Sequence, residues 1–502
     1  MNIHKYVHPA ARRLPATRLL AAFTVMLAPA TMPVPASAQT WTGASGASDT
    51  NWSNSGNWTD AIPANDGTAD IIFDATATGI STVNAEWSVA SLLFNNTGPL
   101  TLTGSDLTIR RTTSGGNWVN SAANNATKRI ENNLNLVYDN VGGGLNSSLG
   151  AGNGGLAITG NITLSTTGAA TPTSIILQLR GAGTNSISGN IQFDDTSTPA
   201  QRTLAKTDAG TWTVGGTDNN FTGVTINHGI LKFASSAALP STVQLGFSAT
   251  SNGFNPTLDL NGQNLTVASL TAIKPASNTN TRSRVTGTGT LSVNGLISAN
   301  DLNGGWLEIN ATVDSATGVT IAANSGLAGT GAITLAENGN IQISGNLTPG
   351  TILSASGTYS STAGTLTFGL SGDGKLTFAA NSSLKFDLGA TDAASDKIAF
   401  ATTGDWLSGS GSATLDLTAV GGTDAGIDYG VTYTIFRNVS TTGFVFASIT
   451  GYDAENYIAQ LTQVGTDYQL SFASTAVPEP AHLAALLAAA GLVLAALRRP
   501  RR

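Results

Sequence analysis

The chain has no cysteine among its 502 residues. That excludes disulfides, thiolate-bound zinc, iron–sulfur clusters and thiol nucleophiles, so stability must come from backbone ladders and a long core. Histidine is nearly as scarce: His4, His8 and His482 lie near the ends, and His228 alone lies in the body. No histidine-based triad or multi-histidine metal site can be assembled from it, and serine nucleophiles lose their usual base. His228, between Ile226 and Ile230, reads as an exposed turn residue. Charged residues make up 11% of the chain and aromatics 6%. No cofactor and no metal are expected.

What the chain has instead is glycine, 58 residues of it, with abundant Ser, Thr, Asn and Ala and a hydrophobic share of 41%. Disorder requires low hydrophobicity and high net charge. Here Leu, Ile, Val and Phe recur in short, evenly spaced runs, which is repetitive β structure. The formal charge of -7 understates the acidity of the body, because Lys5, Arg12, Arg13, Arg18 and four terminal arginines all lie at the ends. With those set aside, 15 basic side chains face 30 acidic ones over residues 39 to 480. Nucleic acid is excluded as a partner on charge.

Residues 1–38 carry a basic start, an apolar run from Leu19 to Ala30 and the small-residue end Ala36-Ser37-Ala38. These are the parts of a secretory signal, with cleavage expected after Ala38. Residues 39–82 gather Trp41, Trp52 and Trp58 among Asn, Ser, Gly and Asp. They are expected to cap the open end of a β stack, although a sugar-stacking platform uses the same residues.

From residue 83 to about 380 one theme repeats: two apolar residues separated by Thr, Ser or Asn, then a Gly-Asn or Asn-Gly turn. Leu134/Leu136, Ile162/Leu164, Trp212/Val214, Val224/Ile226, Leu291/Val293 and Ile341/Ile343 are examples. Period two puts the apolar members on one face. Short one-sided strands with no helical crossovers predict an all-β fold, a right-handed parallel β-helix in which each coil covers its neighbour's edge. Residues 381–475 carry longer strands, expected to be wider last coils or an antiparallel cap.

The segment from Leu204 to Leu239 resembles the autotransporter-associated β-strand repeat, through Lys206, Gly210, Thr211, Thr213, Asn220, Phe221, Gly223, Thr225, Gly229, Leu231 and the small-residue turn Ser235 to Leu239. The resemblance implies a scaffold with no catalytic motif. A true autotransporter ends in amphipathic membrane strands, and this chain does not.

Residues 476–502 are unlike the rest. Pro478 and Pro480 hold Val477 to Pro480 extended, and an Ala/Leu run from Ala481 to Leu497 follows. As a helix that run spans about 25 Å, slightly less than a bilayer core, and Arg498, Arg499, Arg501 and Arg502 extend it and hold the end cytoplasmic. Pro478-Glu479-Pro480, the apolar helix and the terminal arginines together resemble the PEP-CTERM sorting signal of Gram-negative bacteria. The resemblance implies recognition by an exosortase and a single transmembrane helix that anchors the protein at the cytoplasmic membrane before it reaches the surface.

The expected function is therefore an exported, envelope-anchored structural or adhesive solenoid, not an enzyme. Its partners would be exosortase, the secretion machinery, the membrane through the C-terminal helix and extracellular polysaccharide. The alternative is a β-helical polysaccharide lyase or glycosidase, which needs a groove with two convergent carboxylates. Asp194 with Asp195, and Asp60, Asp66, Asp70 and Asp74, are the densest acidic groups.

Overall fold

Most strands pair not with their sequence neighbours but with the strand one coil on. In the computed structural model, which describes residues 38–475 apart from 122–125, 151, 153, 195–200, 250–253, 274–280, 301, 303–304, 353–360 and 421–425, together with Ala488 and Ala490, this gives long parallel sheets. A first sheet of fifteen strands runs from Ala38–Trp41 to Leu407–Ser408, and a second, also of fifteen, from Gly79–Val83 to Ser448–Thr450. The third face is divided into sheets of five and nine strands. The architecture is nearly all-β and β-helix-like.

Register explains the core. Leu204, Val224, Leu245, Leu270, Ile297, Val319, Ile341, Leu376 and Leu407 are Cα partners in turn along the first sheet, and all are buried. The residue after each of those from Val224 on points outward, so Thr225, Gly246, Thr271, Ser298, Thr320, Gln342, Thr377 and Ser408 form a second ladder on the outer face. A one-residue slip would exchange the two ladders, which is why register is strongly specified. Every apolar pair cited above is inward and buried.

The Gly-Asn turns have a specific cause. A Cβ on Gly160 would lie 2.0 Å from Asn132 O, and one on Gly189 would lie 2.1 Å from Gly160 O. The coils approach too closely there for any side chain. The adjoining asparagines close the gap: Asn161 N donates to Asn133 Oδ1 at 2.9 Å, and Asn190 N to Asn161 Oδ1 at 2.8 Å. Within the Leu204–Leu239 segment the third face has no strand. Buried Asn219 replaces the missing ladder by accepting from Ile191 N at 2.7 Å and donating to Gly215 O and Ala238 O.

Both ends of the column are closed. Trp41, Trp52 and Trp58 are buried and meet edge to face, with ring centroids 5.1 and 5.5 Å apart. The ring faces that a sugar platform would need are packed against neighbours. At the other end, residues 381–475 contain further parallel coils and then turn antiparallel, Tyr433–Val439 pairing with Asp467–Ser474 and that strand with Tyr457–Val464.

One departure from one-sided strands occurs on the second sheet. Gly305–Ile309 and Ser325–Gly329 are buried on both faces, because Trp306, Ala328 and Ile352 form a small core on the outside, where Thr351–Ile352 pairs antiparallel with Ser361–Thr362. Gly326 leaves room for the Trp306 ring, which a Cβ would meet at 2.2 Å.

Leu231 is buried and Thr225 is half-exposed. Leu231→Asp is expected to cost several kcal/mol by burying an unpaired carboxylate, while Thr225→Asp leaves the melting temperature nearly unchanged. Equal losses in thermal denaturation would contradict the assigned facing.

Candidate functional site

The outer faces of the column differ in charge. In the first sheet, the strands from Gly223–Ile226 to Leu407–Ser408 contain no charged residue. The second sheet carries lateral ion pairs between neighbouring coils, Lys232 with Asp259 at 2.7 Å and Lys385 with Asp416 at 2.8 Å. On the third face Arg110 pairs with Asp139 at 3.3 Å.

Two depressions matter. A neutral groove of about 610 Å³ crosses the first sheet, lined by Gln201, Thr203, Thr225, Gln244, Ser269 and Thr271 around Gly223 and Gly246. A second, of about 490 Å³, is lined by Asp66, Asp70, Asp139, Arg110 and Arg111. It holds the only groove-lining carboxylates among these two, and each is engaged. Asp66 accepts from the hydroxyl of Thr68 at 2.6 Å, a bond that holds its carboxyl below the usual range. Asp139 is held low first by the Thr167 hydroxyl and then by Arg110. Asp70 accepts from Ser91 Oγ at 2.5 Å. A glycosidase general acid needs the opposite, a carboxyl raised toward neutrality.

The remaining acidic groups named from sequence are dispersed. Asp74 is tied into its own turn, accepting from Thr76 N at 2.8 Å and Ala77 N at 2.9 Å, and Asp60 is exposed. Asp195 lies outside the described residues. Among the described residues, no group of three or more His, Asp or Glu could hold a metal ion.

His228 is not an exposed turn residue. It is half-buried and stacked on Phe254, ring centroids 4.0 Å apart and planes 5° from parallel. Burial and then the nearby Lys206 ammonium lower its pKa. Lys206 itself is fully buried, its Nζ donating to the carbonyls of Asp208 and His228, and burial pulls it down to about 8. Lys128 is buried in the same way, donating to Gly98 O at 2.7 Å. Both lysines are in phase with an inward residue, Leu204 and Ile130, so period two alone marks them as inward. Such cations plug corners of the column.

A strongly displaced carboxyl is also structural. Asp396 is fully buried between coils, accepting from Asp387 N and Gly364 N at 2.8 Å each. Burial pushes its carboxyl up to about 9, the neighbouring Asp387 carboxylate adding to the effect against those two hydrogen bonds. Glu308 is likewise buried and raised by burial, with Asn310 donating to it at 2.7 Å. Neither residue lines either depression.

The sorting residues Pro478, Glu479 and Pro480, the flanking Arg498, Arg499, Arg501 and Arg502, and Ala36 of the signal end lie outside the described residues. Ala38 is the first residue of the first strand and is exposed. Among the described residues no helix is long and apolar enough to cross a membrane. No protein-family profile matches the chain, and no curated protein matches it.

Folding raises the Asp396 pKa above its ordinary 3.8 to about 9, so the native state keeps a proton that the unfolded chain releases. Its contribution to stability is complete below the lower value and declines as pH climbs to the higher one. Lys206 and His228, both lowered by burial, titrate in the opposite sense and offset part of this fall, while the lowered carboxyls act only at acid pH, where solvent screens them. The melting temperature is expected to fall by several degrees between about pH 6 and about pH 9, and Asp396→Asn to flatten that slope while lowering stability at the acid end. An unchanged slope in the variant would remove Asp396 as the cause.

Proposed function

We propose that the protein is an exported, envelope-anchored structural or adhesive β-solenoid, wound right-handed, with residues 1–38 as its secretory signal and 476–502 as a PEP-CTERM sorting and anchoring tail. The observation that carries this reading is that the column closes itself. Its last hairpin, Tyr457–Val464 with Asp467–Ser474, completes the C-terminal core just before the tail begins. On this reading residues 476–502 follow the hairpin as the sorting segment.

The tail divides labour physically. The Pro478-Glu479-Pro480 segment presents a rigid extended substrate, the apolar helix fixes its depth in the cytoplasmic membrane, and Arg498, Arg499, Arg501 and Arg502 oppose translocation of the end. An exosortase then acts near the motif and passes the solenoid to the surface or extracellular matrix of a Gram-negative cell. A non-catalytic role is supported by the low-held carboxylates of Asp66 and Asp139 and by the burial of the raised ones.

Replacing Pro478, Glu479 and Pro480 by alanine is expected to let the helix extend backward and to leave full-length precursor in the membrane fraction. Deleting residues 477–502 should yield soluble, unanchored protein. Cell fractionation with mass spectrometry of the C-terminus reads both, and normal processing of the alanine variant would overturn recognition of the motif.

A further inference from the structure

Gly246 occupies a place where nothing in the fold asks for glycine. It lies mid-strand in Gln244–Ser248, and its φ is outside the left-handed region. An added Cβ would meet nothing closer than Val224 O at 3.8 Å and Thr271 O at 4.0 Å, both ordinary contacts. This contrasts with Gly160 and Gly189, which the next coil forbids from carrying a side chain. Glycine within a strand costs stability, and where neither backbone nor packing requires it the missing side chain leaves space for an approaching ligand. Gly246 interrupts a ladder whose adjacent members are Thr225 and Thr271. With Gly223, on the preceding strand, it forms the floor of the neutral groove.

We propose that this groove binds a neutral, linear polysaccharide lying along the stack, with successive sugars over successive coils. Every side chain lining it is uncharged, and the Thr, Ser and Gln groups around it both donate and accept hydrogen bonds, as sugar hydroxyls do. Beyond the groove the ladder passes through Ser298, which is buried and donates to Thr271 Oγ1 at 3.4 Å, and resumes with Thr320 and Gln342 at multiples of the inter-strand spacing of about 4.8 Å, so a polymer meets similar uncharged groups again further along. Contacts of this kind are weak singly and gain strength by repetition along one chain. Charge selects against the other glycans: a body with twice as many acidic as basic side chains repels anionic polymers. The site gives the scaffold reading a partner class and does not depend on the sorting tail.

The test is affinity electrophoresis of the purified full chain through gels containing dextran, mannan, a soluble β-glucan or alginate. At least one neutral polymer should retard the protein, and alginate should not. Gly246→Thr completes the threonine ladder and fills the floor, so it should weaken retardation by about tenfold with the melting temperature unchanged or raised. Retardation by no neutral polymer, preferential retardation by alginate, or equal retardation of Gly246→Thr and the wild type would each overturn the proposal. Because the assay needs no cellular sorting, its failure and that of the sorting experiment are separable.

Discussion

The coils of this protein are hydrogen-bonded to their neighbours in parallel register along most of the column, and the rest of the structure depends on that constraint. Once register is set, the side-chain period of two leaves only one arrangement: an apolar ladder inside and a hydroxyl or amide ladder outside. Close approach between coils then dictates glycine at Gly160 and Gly189, and asparagine beside them to collect the backbone groups that the turns leave unpaired. No disulfide or metal is required, because each coil supplies both the template and the cover for the next.

The same register decides where polar groups can be buried. Lys206 and Asp396 point into or between coils, where an apolar residue would leave backbone carbonyls or amides unanswered. On the second and third faces several charges sit opposite partners one coil away, as with Lys232 and Asp259 or Arg110 and Asp139. The first sheet beyond Gly223 uses no charge at all, giving an acidic protein one neutral side.

Much of the fold was legible because it is periodic. Val224/Ile226 and Ile341/Ile343 announce inward faces from sequence alone, and the Gly-Asn pairs announce turns. The longer strands after residue 381 were visible too, but their pairing was not: whether Tyr457–Val464 runs parallel or antiparallel depends on a partner chosen in three dimensions. The outer core of Trp306, Ala328 and Ile352 was hidden for a similar reason, since Trp306 and Ile352 are distant in sequence and the alternation of the strand says nothing about what lies over it. For the candidate groove, the outward Thr and Ser were legible as a face. The significance of Gly246 was not, because a glycine needed for close approach and one that leaves open space look alike until neighbouring coils are placed.

The register itself is open to direct measurement, and the absence of native cysteine makes the experiment clean. Thr225→Cys paired in turn with Thr271→Cys, Thr320→Cys and Thr377→Cys places spin labels two, four and six coils apart on one outer ladder. Backbone separations should rise linearly, to about 10, about 19 and about 29 Å, as multiples of the inter-strand spacing. Distances that do not increase in proportion to the number of coils would contradict the stacked arrangement on which every other conclusion rests.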